Sequence, residues 1–318
     1  MPGRNGQDGD RQRVAQACPA CGAALPDSPS LQGGDRLLES PGLFEVRVCA
    51  SCGAGRTGPP LSQGELAEFY RQGYASHQEG APRLLASVMR ALKRLQVSAI
   101  LRRPPFSAAI SVAPGHALDV GCGRGDLAGA LLARGWRVAG VEPSGRAAAI
   151  AARRGIQVVG ATLQTAQLPV GAYDLVVFRH SLEHLPEPLE DLRRVREALR
   201  PGGRVVISAP NFASWQRKRF AADWFHLDLP RHRAHFSPMS LAVALRRAGF
   251  TVDAQLTSTS VLGLPASLQY VIVRRCLAPG GLRLRLLAAL CCAAFPATWL
   301  IDRLGGERDT LHAIARRG

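Results

Sequence analysis

The stretch LDVGCGRGD, Leu118 to Asp126, places three glycines at alternate positions directly after an apolar run. An apolar run that ends in a glycine-rich turn and continues as a helix is typical of nucleotide-binding α/β proteins. This turn lacks the G-x-G-x-x-G spacing of pyrophosphate-binding loops, and Asp119 and Asp126 flank its glycines. Because two carboxylates would repel a phosphate, we expect a ligand with a positive amino group and no phosphate.

Predicted strands and helices alternate along the chain around this turn. The apolar runs HALDV, WRVAGVE, GIQVV, YDLVVF and RVVISAP predict five strands with helices between them. Helices are expected after Ser144 and at Ser237-Pro238, because serine caps a helix and proline fits its first turn. Residues 251–260 and 309–317 predict an antiparallel hairpin. We therefore expect an α/β fold with a Rossmann-like, doubly wound, seven-stranded sheet and a ligand at the carboxyl ends of its strands.

Glu142 ends the second predicted strand, 21 residues after Gly121. A carboxylate at this position can accept hydrogen bonds from both hydroxyls of a ribose. Together with the acid-flanked glycine turn, it fits a nucleoside that carries an amino acid.

Two CxxC pairs precede this region, CPACG with Cys18 and Cys21 and CASCG with Cys49 and Cys52. Four thiolates predict a structural Zn²⁺ site, because four cysteine ligands leave no open position on the metal; a redox dithiol is the alternative. The 27 residues between the pairs predict a hairpin, with LFEVRVC as one strand. The other cysteines stand in apolar surroundings and are interpreted as packing residues: Cys122, Cys276, Cys291 and Cys292.

The motifs of residues 113–260 resemble those of the class I S-adenosylmethionine-dependent methyltransferases. LDVGCGRG resembles their first motif, GVEPS their second-strand acid, and YDLVVFRHSLEHLPEP with LRPGGRVVISAPN their later motifs. The two CxxC pairs, ELAEFYRQGY and HLDLPRHRAHFSP resemble bacterial members with an N-terminal zinc-binding segment, several of which act in sugar or polysaccharide pathways. The resemblance implies methyl transfer from S-adenosyl-L-methionine.

The resemblance also implies which residues hold this cofactor. Asp119, Gly121 and Gly123 would line its methionine and adenosine side, and Glu142 would hold the ribose. Residues 160–169 would pass beside the adenine, where many relatives have an aspartate and this chain does not. The further predicted cofactor contacts are Thr162, Leu163, Arg179 and Tyr74, with Tyr70 as the alternative to Tyr74 and packing of their helix as the other interpretation.

Two histidine-rich segments follow predicted strands, where an acceptor must bind. A hydroxyl acceptor needs a base near its proton, most often histidine. We predict His180, His184 and His232 as catalytic residues, with His184 or His232 as the base; loop orientation and helix capping are the alternative. The second segment, WFHLDLPRHRAHFSP, predicts a lid over an anionic acceptor, with a solvated loop as the alternative. Its predicted substrate-binding residues are His226, Asp228, Arg231 and His235.

The formal net charge of +16, carried almost entirely by arginine, suits an acidic partner or reflects genome composition. We expect O-methylation of a small-molecule, sugar or glycan intermediate. An RNA methyltransferase is an alternative, although RHSLEH lacks the Asn/Asp-Pro-Pro-aromatic loop of enzymes that methylate flipped bases, which disfavours nucleic acid. A cofactor-binding module without activity is a third interpretation.

The expected organisation is a disordered tail (1–16), a zinc-binding segment (17–60), a helical connector (61–112) and a methyltransferase domain (113–318) with an apolar insertion (261–306). The longest uncharged run of the insertion has 16 residues, short of the ~20 that span a bilayer. We expect a core cap, a dimer contact or peripheral contact with the inner face of the membrane. The N-terminus lacks the apolar centre of a secretory signal, which predicts a cytoplasmic protein.

Overall fold

The computed structural model describes residues 16–71, 100–104, 106–110, 113–273 and 296–318. Nearly all of the expected N-terminal tail and most of the helical connector lie outside these residues. The same is true of Tyr74, Cys276, Cys291 and Cys292.

Eleven strands of the described residues form two sheets. In chain order they are β1 (Leu31–Gly33), β2 (Phe44–Val48), β3 (Gly55–Gly58), β4 (His116–Val120), β5 (Arg137–Val141), β6 (Gln157–Gly160), β7 (Tyr173–Arg179), β8 (Leu199–Pro210), β9 (Ala234–His235), β10 (Phe250–Ser258) and β11 (Thr310–Arg317). The larger sheet has the order β10-β11-β8-β7-β4-β5-β6. Its five strands from β4 to β8 run parallel, whereas β11 pairs antiparallel with β8 and β10. The predicted seven-stranded α/β sheet and its terminal hairpin are confirmed.

Helices connect the parallel strands. The described helices are α1 (Gln63–Arg71), α2 (Phe106–Ala109), α3 (Asp126–Leu132), α4 (Gly145–Ala152), α5 (Pro188–Ala198), α6 (Trp215–Phe220), α7 (Pro238–Arg247) and α8 (Gly263–Val273), with a further helical stretch at 296–304. The predicted caps are confirmed. Ser144 Oγ accepts a hydrogen bond from Ala147 N (3.3 Å), and Ser237 forms a capping box with Ser240.

Both faces of the larger sheet are buried, as its apolar strands predict. Val176 and Phe178 of β7 belong to one hydrophobic cluster, and Leu175 and Val177 belong to the other. Successive side chains of a strand point to opposite faces, so an uninterrupted apolar run requires cover on both sides. This double cover fixes the sheet and leaves the loops at the carboxyl ends of the strands for binding.

The smaller sheet has the order β1-β2-β3-β9 and contains the segment between and after the two CxxC pairs. β1 pairs antiparallel with β2, which is the hairpin expected between the pairs. β9 is distant from β3 in the sequence. Gly55 and Arg56 of β3 pair with His235 and Ala234 of β9. A Cβ at Gly55 would lie 2.9 Å from Val46 Cγ1, so only glycine allows this close approach. The N-terminal segment is therefore joined to the larger domain through a shared sheet.

The described part of the apolar insertion exposes several large side chains. Leu268 and Ile272 of α8 and Leu300 and Leu304 of the stretch at 296–304 are solvent-exposed. Within the described residues, no helix has both the length and the apolar character needed to cross a membrane. The core cap, the dimer contact and the peripheral membrane contact stay predictions.

Candidate active site

In the glycine turn between β4 and α3, the first and third glycines pack closely against other side chains, whereas the middle glycine has free space beside it. Gly121, Gly123 and Gly125 have φ values of 75°, 55° and 78°, a region that side chains disfavour. A Cβ at Gly121 would lie 2.7 Å from Ser181 Cβ, and one at Gly125 would overlap the side chain of Ile156. A Cβ at Gly123 would meet nothing within 4 Å. Space for a ligand therefore lies beside Gly123.

Glu142 stands next to this open position. Its Oε2 accepts a hydrogen bond from Gly123 N and its Oε1 accepts one from Ser144 N, both at 2.8 Å. These bonds hold the carboxylate at the end of β5, and each oxygen retains a lone pair for a further donor. The open glycine beside a fixed carboxylate fits a ribose with two hydroxyls, so the residues present fit the implied nucleoside cofactor.

Asp119 is the last residue but one of β4, and it is 2% exposed. Burial raises the pKa of its carboxyl to about 7, and the neighbouring Glu142 acts in the same direction, whereas the charge of Arg179 opposes them. A carboxyl in this state gains a strong partner when a ligand brings a positive charge to it. This matches the amino group that the acid-flanked glycine turn predicts.

The segment expected beside an adenine forms a compact turn after β6. Thr162 Oγ lies 3.1 Å from Thr165 Oγ and accepts a hydrogen bond from Thr165 N. The Leu163 side chain is fully buried in the core. At Leu163, therefore, only the backbone could contact a ligand. The roles of Thr162, Leu163 and Arg179 stay predictions.

The three predicted catalytic histidines come together at the carboxyl ends of the strands. His180 directly follows β7 with a φ of 51°, a strained value that often marks functional positions. The rings of His184 and His232 meet edge to face, with centroids 4.7 Å apart. Tyr70 joins them, since its Oη lies 3.0 Å from His184 Nδ1.

Glu183 is the buried acid of this histidine cluster, and our set of predicted site residues omits it. Its side chain is 2% exposed, and its Oε1 lies 3.5 Å from His180 Nδ1. The sequence RHSLEH contained the available signal, because an acid close to two histidines after a strand can be buried when they serve as its partners.

The lid expected from WFHLDLPRHRAHFSP is largely built into the fold. Arg231 is fully buried, donates two hydrogen bonds to Asp35 in the segment after β1 (2.6 and 3.0 Å) and two to Asp228 (2.7 and 2.9 Å). His235 is buried, and its Nε2 lies 2.9 Å from Thr57 Oγ. Arg231 and His235 are buried and Asp228 is paired with Arg231, which favours a structural role for the three residues, and their predicted role in substrate binding stays a prediction.

His226, the fourth predicted substrate-binding residue, contacts residues near the terminal hairpin. Its Nε2 lies 3.1 Å from both Asp309 Oδ2 and Ser260 Oγ. His312 lies between Ser208 Oγ (2.8 Å) and Ser258 Oγ (2.7 Å). Sequence reasoning missed the polar residues contributed by the terminal hairpin. The antiparallel pairing of β11 with β8 was the available signal, because it returns residues 309–312 to the carboxyl end of β8.

The four N-terminal cysteines form a closed cluster. Cys18 Sγ and Cys52 Sγ are 3.4 Å apart, Cys21 Sγ and Cys49 Sγ are 3.6 Å apart, and all four sulfurs lie within 4.8 Å of one another. A tetrahedral zinc–sulfur length of about 2.3 Å implies sulfurs about 3.8 Å apart. The buried cluster has the size and the donors of a metal site.

The chain belongs to a family of S-adenosylmethionine-dependent methyltransferases. A family model described as a methyltransferase domain matches residues 86–255, more than half of the chain. S-adenosylmethionine is the cosubstrate of this family. The chain is therefore a class I methyltransferase with a small N-terminal sheet and a four-cysteine cluster that could bind a metal.

Similar curated proteins include enzymes named ubiquinone biosynthesis O-methyltransferase. The one from Aeromonas salmonicida is 38% identical over 102 residues, which are 30% of this chain and 42% of the relative. The one from Xanthomonas axonopodis is 29% identical over 160 residues, 46% of this chain and 67% of the relative. The chain thus spans less than half of the first relative's length and about two thirds of the second's.

A similar solved structure is a methyltransferase from Thermotoga maritima, described as a possible histamine N-methyltransferase. It is 18% identical, with a TM-score of 0.47, and the match covers 80% of this chain and 97% of that protein.

Proposed function

We propose that the protein transfers the methyl group of S-adenosylmethionine to a hydroxyl oxygen of a small-molecule, sugar or glycan intermediate. The observation that carries this proposal is the histidine cluster beside the glycine turn. Ser181 packs directly against Gly121, and His180 adjoins Ser181 in the chain. This neighbourhood of histidines and glycine turn supports a role for the histidines as bases toward the acceptor. The O-methyltransferases among the similar proteins support an oxygen acceptor.

When bound, the cofactor supplies a methyl group on a sulfonium sulfur, and this chain's residues hold and orient it. Asp119 pairs with the positive amino group, and the open face at Gly123 admits the nucleoside. Glu142 accepts the hydrogen bonds of the ribose. Alignment and exclusion of water are the main requirements of such a displacement.

We assign the acceptor's proton to His180. Its side chain is 42% exposed, which makes it the most accessible of the three predicted catalytic histidines. Glu183 Oε1, 3.5 Å from its Nδ1, would orient the ring and leave Nε2 to take the proton. His184 and His232 are held by backbone carbonyls and suit a different role.

The acceptor atom can be tested with methyl-labelled cofactor and a panel of hydroxyl- and amine-bearing small molecules. We expect label on oxygen. Glu142→Ala should weaken cofactor binding at least about 100-fold, because two hydrogen bonds to a charged acceptor contribute about 3–6 kcal/mol together. Glu197→Ala, at an exposed carboxylate on α5, is the matched control and should bind normally. Label on nitrogen or carbon would contradict the oxygen assignment, and unchanged binding by Glu142→Ala would remove Glu142 from the cofactor site.

Cofactor affinity should depend on pH through Asp119. The carboxyl is protonated below its raised pKa of about 7, and only its ionised form attracts the ammonium group of the cofactor. Affinity should therefore increase from about pH 5 to pH 7, by up to about tenfold per unit, and level off above. Calorimetric titration across this range measures it. Asp119→Asn should bind weakly with a flat profile, whereas a wild-type profile without slope would show that Asp119 does not meet the amino group.

We also infer that the four cysteines bind one structural Zn²⁺. The burial of the four thiols and the short distances between their sulfurs support this assignment, because four thiolates complete a tetrahedral zinc site. A purely structural ion leaves the chemistry to the glycine turn and the histidine cluster.

A further inference from the structure

A second group of metal-binding side chains lies inside the histidine cluster. Glu183 and His184 come from the turn after β7, and His232 comes from the segment before β9. One carboxylate oxygen and one ring nitrogen from each histidine lie within 4.8 Å of one another. Glu183 and His232 are buried and His184 is half-buried, so the three groups form an internal site.

A backbone carbonyl lies next to one nitrogen of each histidine. His232 Nδ1 lies 2.9 Å from His226 O, and because a carbonyl can only accept, this nitrogen carries the hydrogen and the neutral ring has its lone pair at Nε2. His184 Nδ1 lies 3.0 Å from Arg231 O and 3.0 Å from Tyr70 Oη, two oxygens that can both accept from it, and in that tautomer its Nε2 has the lone pair. Metal-binding histidines are oriented in this way, with one nitrogen donating to a backbone carbonyl and the other free for the ion.

The Glu183 carboxylate lacks donors. Neither of its buried oxygens has a hydrogen-bond partner among the described residues, and His180 Nδ1 lies 3.5 Å from its Oε1. A buried carboxylate without hydrogen bonds is costly unless a cation neutralises it. Asp228 adds a second carboxylate nearby, with its Oδ2 3.8 Å from His232 Nε2. The site therefore has negative charge and imidazole lone pairs that a metal ion would satisfy.

We propose that Glu183, His184 and His232 bind one divalent transition-metal ion, separate from the four-cysteine site. Two imidazoles and one carboxylate favour Zn²⁺, Fe²⁺, Co²⁺ or Mn²⁺ over Mg²⁺ and Ca²⁺, which prefer oxygen ligands. Three protein ligands also leave positions open, unlike four cysteines.

The location of this metal site suggests which group would occupy the open coordination positions of the ion. Ser181, two residues before Glu183, packs against Gly121 of the glycine turn. An ion here would bind the acceptor's oxygen and favour its ionised form, which is the nucleophile in methyl transfer. This role rests on the proposed O-methylation, whereas binding of the ion does not.

Metal counting on the full-length chain tests the site. Protein stripped with a chelator and dialysed against Zn²⁺ should take up one ion at the cysteines and a second at the triad. Glu183→Gln keeps the shape of the side chain and should retain only the first ion, with the second site weakened at least about 100-fold, because loss of an outer-shell partner alone costs 10–100-fold. His116→Ala, at the opposite end of β4, is the matched control and should retain both ions.

Cobalt supplies an independent readout. Co²⁺ at the cysteines gives sulfur-to-metal charge-transfer absorption, whereas Co²⁺ at the triad adds bands without it, and Glu183→Gln should abolish only those. A wild-type protein that saturates with one ion, or a Glu183→Gln protein that still binds two, would overturn the proposal. If the ion binds but no oxygen is methylated, the metal site stands and the proposed function fails alone.

Discussion

Cys52→Ser should release the N-terminal metal and unfold the smaller sheet. Zinc binding to four thiolates contributes about 10 kcal/mol or more of apparent free energy in small zinc modules, far more than the short strands of the smaller sheet supply by packing. Cys49 and Cys52 lie between β2 and β3, so a metal bound there should also fix the strand that pairs with β9. Elemental analysis should show the loss of one ion, and limited proteolysis should cut within residues 17–60.

Cys122→Ala provides the matched control, because Cys122 is buried and free but lies in the glycine turn, away from the cluster. It should retain the metal and the protease resistance of the N-terminal segment. A Cys52→Ser protein with unchanged metal content and unchanged proteolysis would rule out the four-cysteine zinc site.

Arg231→Met should destabilise the protein by about 3–5 kcal/mol, because it leaves Asp35 and Asp228 buried without their counter-ion. Methionine fills much of the same volume, so the effect measures charge more than packing. Urea denaturation followed by circular dichroism gives the free energy of unfolding. The loss should be accompanied by looser attachment of the smaller sheet, since Asp35 belongs to the N-terminal segment.

An exposed arginine pair supplies the comparison. Arg193 and Glu190 form an ion pair on the surface of α5, and such pairs contribute at most about 1 kcal/mol. Arg193→Met should therefore change the free energy of unfolding very little. If Arg231→Met were equally mild, the buried pairs would not hold the two parts of the protein together.

Local patterns in the sequence predicted where the candidate residues at the strand ends would lie. Asp119 stands near the end of one apolar run and Glu142 directly follows another, and parallel strands bring their carboxyl ends to one edge. The caps at Ser144 and Ser237 follow from the chemistry of the first helical turn. In each case a few neighbouring residues contain the whole signal.

The contact partners of the residues in the predicted lid could not be predicted from local patterns. Arg231 pairs with Asp35, 196 positions earlier in the chain, and His235 with Thr57, 178 positions earlier. A dense run of charged and aromatic residues looks the same in sequence whether it faces a substrate or another part of the fold. Only the pairing of β9 with β3 decides between them, and no local pattern indicates a two-residue strand.

The pairing of β9 with β3 has a consequence for the expression of truncated forms of the protein. A shortened chain that starts at residue 113 would keep every strand of the larger sheet, yet β9 would lose its neighbour β3 and become an uncovered edge. It would also lose Thr57, whose hydroxyl donates to His232 O. Uncovered edges promote aggregation. We therefore expect the two parts to require joint expression, and the N-terminal segment to be needed for the histidines to keep their positions.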